Sequence, residues 1–237
     1  MTRASRGGGF GLGVVLIAVL AAVSGAVDVV SLVYAEVFVA NQTGNLVVVA
    51  AGSLTSTSRV ALAVVALVGF ALGVVLAASL RRLLVPRVSL TGLRETQLAI
   101  EIALIVGAGV LMALTPSDRG IRLLAPIGLL ALSQGIQAVL LTRLLGRGVR
   151  TVAVTGPLTD AIVAGVESWG RESPDHEGRR HLVLLAVATP AGYAVGAALG
   201  ALTIRGGAHA ALAAAILLSV IAALLARGVE SRGADIV

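Results

Sequence analysis

The sequence predicts an all-α, polytopic helical membrane protein with six transmembrane helices and two short re-entrant or broken segments, arranged as an inverted repeat. Three observations lead there. The chain is strongly apolar, its apolar residues fall into six runs of spanning length and two shorter ones, and its arginines sort to one side only if the short runs do not cross. Of its 237 residues 57% are hydrophobic and 13% charged, about half the charged share of a soluble domain, and the mean hydropathy is +1.01.

All 18 basic residues are arginine, and the net charge is +6. They lie in short connections between apolar runs, as in proteins that set their orientation in a bilayer, so nucleic acid is not an expected partner. The chain has no cysteine, which excludes disulfides, thiolate metal sites and a cysteine nucleophile. No cofactor or metal is expected.

A hydrocarbon core of about 30 Å takes about 20 helical residues. Residues 10–34 form the first such run. Arg3 and Arg6 ahead of an apolar stretch, with Ser24-Gly25-Ala26 as a cleavage-like site, also fit a signal peptide. The run resumes after Asp28 and reaches Tyr34, too long for a typical signal core, so it is read as a span. Runs 59–80, 96–115, 121–142, 180–203 and 208–227 follow. Tyr34, Trp169 and Phe10 sit at span ends, as in an aromatic belt. Stretches 37–52 and 151–166 are shorter, interrupted by Gly44 and by Gly156-Pro157.

If all eight stretches crossed, ten arginines would lie inside and eight outside. If the two short ones dip in and return, fourteen lie inside and only 59, 119, 122 and 205 outside. The second arrangement satisfies the positive-inside rule and places both termini in the cytoplasm. One membrane domain, 1–237, then divides into halves 10–115 and 121–227 of opposite orientation, the inverted plan common in transporters. Thr43-Gly44-Asn45-Leu46 recurs as Thr155-Gly156-Pro157-Leu158; a third Thr-Gly pair, Thr91-Gly92, falls in a loop. Gly69 and Gly73 in one half and Gly192, Gly196 and Gly200 in the other have the spacing of a close helix-packing face.

Non-helical chain at membrane depth persists where it is buried in protein or lines a wet cavity. Each short segment reads as an extended stretch, a turn and a half-helix. Gly156-Pro157 suits a helix start, and Thr43 or Gly44 is the expected N-cap of a helix running through Leu46 to Ala51. The positive ends of two such half-helices near mid-membrane would favour an anion or the oxygens of a polar solute. Alternatively, Asn41, Gln42, Thr43 and Asn45 cap the break and bond neighbouring helices.

Gly25-Ala26-Val27-Asp28 followed by Val37-Phe38-Val39-Ala40-Asn41-Gln42-Thr43-Gly44-Asn45 resembles the signature of the YoaK family of bacterial multi-pass membrane proteins, a domain-of-unknown-function family. Gly135-Ile136-Gln137, Gly148-Val149-Arg150-Thr151 and Val154-Thr155-Gly156 resemble its second recurring block, although Ala138 stands where relatives often carry a second polar residue. The resemblance implies membrane location and fold.

Asp28 lies within the first span, about 9 Å from its outer end. An intramembrane carboxylate usually faces the bundle interior, and Asp28 is expected to face Asn41 to Asn45 as a coupling or cation-binding acid. Gln134 and Gln137, three apart, share a face of the fourth span and could line the same cavity. Asp160 sits where it could favour the positive end of the second half-helix. Glu101 is expected to reach the interface or pair with Arg94. Asp175-His176-Glu177 and His181 lack the four-residue histidine spacing of a zinc protease and read as a solvated cytoplasmic loop. No histidine accompanies a buried serine, and an Asp28–Asp160 dyad would join segments from opposite sides, so no enzyme is expected.

The function read here is transport or conduction of a small polar solute or ion, with the lipid bilayer as the other partner and homo-oligomerisation left open. The competing class is a non-transporting scaffold, sensor or complex subunit.

Overall fold

The computed structural model describes residues 3–85, 88–114, 121–144, 159, 162, 163, 166 and 176–231. The described helices are α1 (Arg3–Ala35), α2 (Gln42–Ala50), α3 (Thr57–Leu84), α4 (Leu90–Leu114), α5 (Leu124–Leu144), α6 (His176–Thr203) and α7 (Ala208–Ser231). Short 3-10 turns precede α3, α5 and α7, at Gly52–Leu54, Ile121–Leu123 and Ile204–Gly206. Each of the six long apolar runs is a helix. Five of them, α1, α3, α4, α6 and α7, are long and apolar enough to cross a membrane, while the apolar run of α5 is Leu124–Leu140.

Two boundaries differ from expectation. Helix α6 begins at His176, so His176, Glu177 and His181 lie in its first two turns rather than in a loop. Helix α4 begins at Leu90 and takes in Thr91-Gly92. Glutamate and arginine are good helix formers, so both helices continue past the apolar run that located them. Of the second short segment only Thr159, Ile162, Val163 and Val166 are described. Thr155, Gly156 and Asp160 therefore lie outside the described residues, as does Trp169.

Helix α1 packs against α6 and α7, α5 against α3 and α4, and α4 against α7. In the most apolar window of the α1 span 72% of residues are buried, against 28–33% in the other four spans, so α1 lies inside the bundle and those four leave most of their surface uncovered by the described residues. Lipid supplies no hydrophobic drive for helices to associate, so close packing must. Gly192, Gly196 and Gly200 of α6 face Ala18, Ala22 and Ala26 of α1 in ascending order, which makes the two helices parallel. Likewise Gly69 of α3 faces Gly128 of α5, and Gly73 faces Leu132 and Gly135. Helix α7 runs antiparallel to α1, with Gly228 beside Leu12, and to α4, with Arg227 Nε donating to Glu95 Oε1 at 2.6 Å. Thus α1, α4 and α6 run one way and α3, α5 and α7 the other.

The two parallel pairs use the same device. Gly69-Phe70-Ala71-Leu72-Gly73 in α3 matches Gly192-Tyr193-Ala194-Val195-Gly196 in α6. Gly135 of α5 seats against Phe70 O and Val74 N; Gly25 of α1 seats against Tyr193 O and Ala197 N. The glycine faces expected from spacing are real, and the aromatic between the glycines is part of the pattern.

A Cβ on Gly196 would meet the main chain of Ala22, whereas one on Gly107 would meet only Leu129 Cδ1, at 3.6 Å. We predict that Gly196→Ala lowers stability by about 1–3 kcal/mol, the usual cost of overpacking, and that Gly107→Ala is nearly neutral. Thermal unfolding in detergent would measure both, and equal losses would contradict the packing described.

Candidate functional site

Helix α1 ends at a non-glycine residue with left-handed backbone, Glu36 at φ 56°, a conformation costing roughly 1–2 kcal/mol. That residue reverses the chain, and residues 37–41 run back alongside α1. Helix α2 has 9 residues, about 13 Å of length, too short to cross. At the start of α3, Arg59 Nε donates to Glu36 O at 3.0 Å, and its guanidinium is 3.8 Å from the Glu36 carboxylate. The chain therefore begins α3 at the level where it left α1. Between those points it reaches Asp28, seven residues and about 10 Å inside the end of α1. Segment 37–52 thus leaves the end of α1, reaches the level of Asp28 and comes back beside Glu36.

Asp28 is what holds the turn. Its Oδ1 accepts the N–H groups of Val39 (2.8 Å) and Ala40 (2.7 Å). Its Oδ2 accepts the N–H of Asn41 (3.2 Å) and the hydroxyl of Tyr193 on α6 (2.7 Å). Only 2% of the residue is exposed. Successive main-chain amides converging on one anion form a nest, and here the anion is part of the chain. The expectation that Asp28 faces Asn41 to Asn45 is corrected on this point: it engages the main chain of Val39 to Asn41, because an irregular stretch outside any helix must find acceptors for its N–H groups.

Asn45 answers for the other side of that stretch. Its Oδ1 accepts Phe38 N–H at 2.9 Å, and its Nδ2 donates to Phe38 O at 2.5 Å and to Gln42 Oε1 at 2.8 Å. Gln42 Nε2 in turn donates to Val39 O at 2.7 Å. The amide of Asn45 thus pairs with Phe38 as a neighbouring strand would. The N-cap is Asn41, with no side-chain cap bond, and the helix starts at Gln42; the expected cap at Thr43 or Gly44 is two or three residues too late, because the bonds of the preceding stretch to Asp28 end at Asn41. Gly44 is required for space, since a Cβ there would lie 2.7 Å from the Phe38 ring. The polar cluster therefore divides: Gln42 and Asn45 satisfy the backbone, and Asn41 and Thr43 are exposed.

Gln134 and Gln137 meet Ser24, one turn deeper than Asp28, and not Asp28 itself. Ser24 Oγ donates to Gln134 Oε1 at 2.7 Å; Gln137 Nε2 donates to Leu20 O (2.8 Å) and to Ser24 Oγ (3.0 Å). All three side chains are fully buried. Gln134 Nε2 and Gln137 Oε1 make no hydrogen bond among the described residues, leaving one donor and one acceptor on a shared face. In the sequence Ser24 stood out only as part of a cleavage-like site; its partners are 110 and 113 residues away.

Glu101 also departs from expectation. It is fully buried rather than reaching the interface, and its oxygens make no hydrogen bond to Arg94 or to any other described residue. Helix α7 presents Ser219 to it. Among the described residues no three His, Asp or Glu side chains gather as a metal site.

The turn yields a ranked prediction. Tyr193→Phe removes one of four donors to Asp28 and should cost about 1.5–3 kcal/mol, the usual range for a bond to a charged group. Asp28→Ala orphans three main-chain N–H groups and should cost more, with Asp28→Asn between them because an amide offers only one accepting atom. Thermal unfolding with limited proteolysis at residues 36–42 measures the series; an Asp28→Ala variant as stable as wild type would contradict this role.

No curated protein and no solved structure matches the chain. The family described as a protein of unknown function (DUF1275) matches residues 16–224, which include both blocks that carry the YoaK resemblance. With its long apolar helices, the chain is a multi-pass integral membrane protein, and it belongs to the DUF1275 family of proteins of unknown function.

Proposed function

We propose that this protein is a carrier or channel for a small polar solute or ion in the cell (inner) membrane, with all six long helices crossing and both termini cytoplasmic. The observation that carries the proposal is the exposure of Asn41 and Thr43 on a turn held about 10 Å inside the end of α1. Open polar groups at the broken start of a helix at that depth suit the wall of a water-filled path rather than a lipid-facing surface. The first turn of α2 adds main-chain N–H groups and a positive helix end, which suit the oxygens of a solute or an anion.

We read the two halves as inverted repeats. Parallel pairing of α1 with α6 and of α5 with α3 supports this, as does the Gly-aromatic-Ala-aliphatic-Gly pattern common to α3 and α6. The residues preceding the two seated glycines, Ser24 and Gln134, bond each other, as residues flanking a pseudo-twofold axis would. Asp28, three residues after Gly25, corresponds to Ala138, three after Gly135. In this reading Asp28 positions the turn, while Asn41 and Thr43 contact the solute. Gln134, Gln137, Thr155, Gly156 and Asp160 serve the path from the second half. The role is binding and permeation, not catalysis.

The complete pairing of Asp28 and Asn45 favours a second reading, a non-transporting scaffold whose polar groups only hold helices together. Uptake of a solute panel into vesicles containing the protein distinguishes the two. Thr43→Val and Asn41→Ala should leave thermal stability unchanged and lower uptake of the transported solute by up to about tenfold, the equivalent of one hydrogen bond. Absence of uptake above protein-free vesicles for every solute would support the scaffold.

A further inference from the structure

One buried carboxyl group is used by neither the turn nor the Ser24 network. Glu101 lies eleven residues after the start of α4, about 16 Å along the helix, and is fully buried. Ser219 of α7 faces it, yet the Ser219 hydroxyl donates its single hydrogen to Ala215 O at 3.0 Å. With its hydrogen on Ala215, the Ser219 oxygen keeps lone pairs that can accept a proton from a neighbour. An unpaired carboxylate at this depth is among the costliest groups to bury.

Among the described residues the surrounding helices bring no counter-charge to this level. Helix α5 has Gln134 and Gln137 in its middle and Arg143 at its end. Helix α7 has His209 near its start and Arg227 near its other end, where Glu95 holds it at 2.6 Å. Helix α3 keeps Arg59, Arg81 and Arg82 at its ends, and Arg94 on α4 itself lies seven residues, about 10 Å, from Glu101. Gln97, one turn nearer the helix start on the same face, is also buried, with Nε2 donating to Ala77 O at 3.4 Å. It extends a polar strip from Glu101 toward the exposed Glu95–Arg227 pair.

We propose that Glu101 and Ser219 form a proton-binding site between α4 and α7, with Glu101 donating its proton to the Ser219 oxygen, and that this proton is the coupling ion of transport. The coupling rests on the transport reading; the proton site does not. A metal cation is a poorer fit, because hard cations take about six oxygen ligands and this pair offers few.

Dicyclohexylcarbodiimide reacts with protonated carboxyl groups in apolar surroundings. With the full chain in lipid vesicles, mass spectrometry should find the adduct on Glu101. Because the protonated form reacts, labelling should fall as pH rises, approaching tenfold per pH unit once the proton is lost. Glu101→Gln, which keeps a neutral side chain of the same shape, should abolish labelling, retain wild-type melting and remove the pH dependence of uptake. Absence of an adduct at every pH, or pH-independent labelling, would overturn the proton site. Protection by sodium at constant pH would replace the proton with a metal ion and overturn it equally. Proton-dependent labelling without uptake of any solute would uphold the site and remove the coupling alone.

Discussion

The structure around the break depends on one carboxylate. A chain that turns back inside a membrane exposes main-chain N–H groups that lipid cannot satisfy. Here three consecutive N–H groups, from Val39 to Asn41, end on Asp28. The same carboxylate takes the Tyr193 hydroxyl, so it ties the turn to α6 as well as to α1. Asn45 completes the arrangement from the other edge by pairing with Phe38. An acid in a span is usually read as an ion site, but this one is occupied by its own backbone.

That anchorage requires α6 to lie hard against α1, and the glycines provide it. Tyr193 sits between Gly192 and Gly196, whose lack of side chains lets the helix meet the backbone of Ala18 and Ala22. The motif that closes the helix pair thus also delivers the fourth donor to Asp28. On the opposite pair the equivalent positions are Phe70 and Ala138, which carry no polar group. The two halves share a packing plan, and only the first has a polar anchor at this place among the described residues.

The six long helices were legible because an apolar run of about 20 residues has few other fates. Arginine sidedness set the first short segment apart from the spanning runs, and the Arg59–Glu36 contact shows that α3 starts beside the end of α1. The start of α2 was not legible, because what holds the chain before it is an acid thirteen residues upstream rather than a local cap. Glu101 was misread for a related reason. A helix that is apolar all round has little periodicity to indicate which face is inward, so its depth could be judged and its direction could not. The pairing of Ser24 with Gln134 spans 110 residues, beyond any local pattern. The Gly-aromatic-Ala-aliphatic-Gly repeat was present in the sequence, visible to a comparison of five-residue windows rather than of glycine spacing alone.

The central claim is that the chain returns after Asp28 to the side it left. It can be tested in a chain that has no native cysteine, with spin labels at Val33→Cys near the end of α1 and Ser58→Cys at the start of α3. Pulsed electron resonance in lipid should give a separation well below the thickness of the hydrocarbon core. A separation of about 30 Å or more, the core thickness itself, would mean that residues 37–52 cross the membrane and would contradict the account.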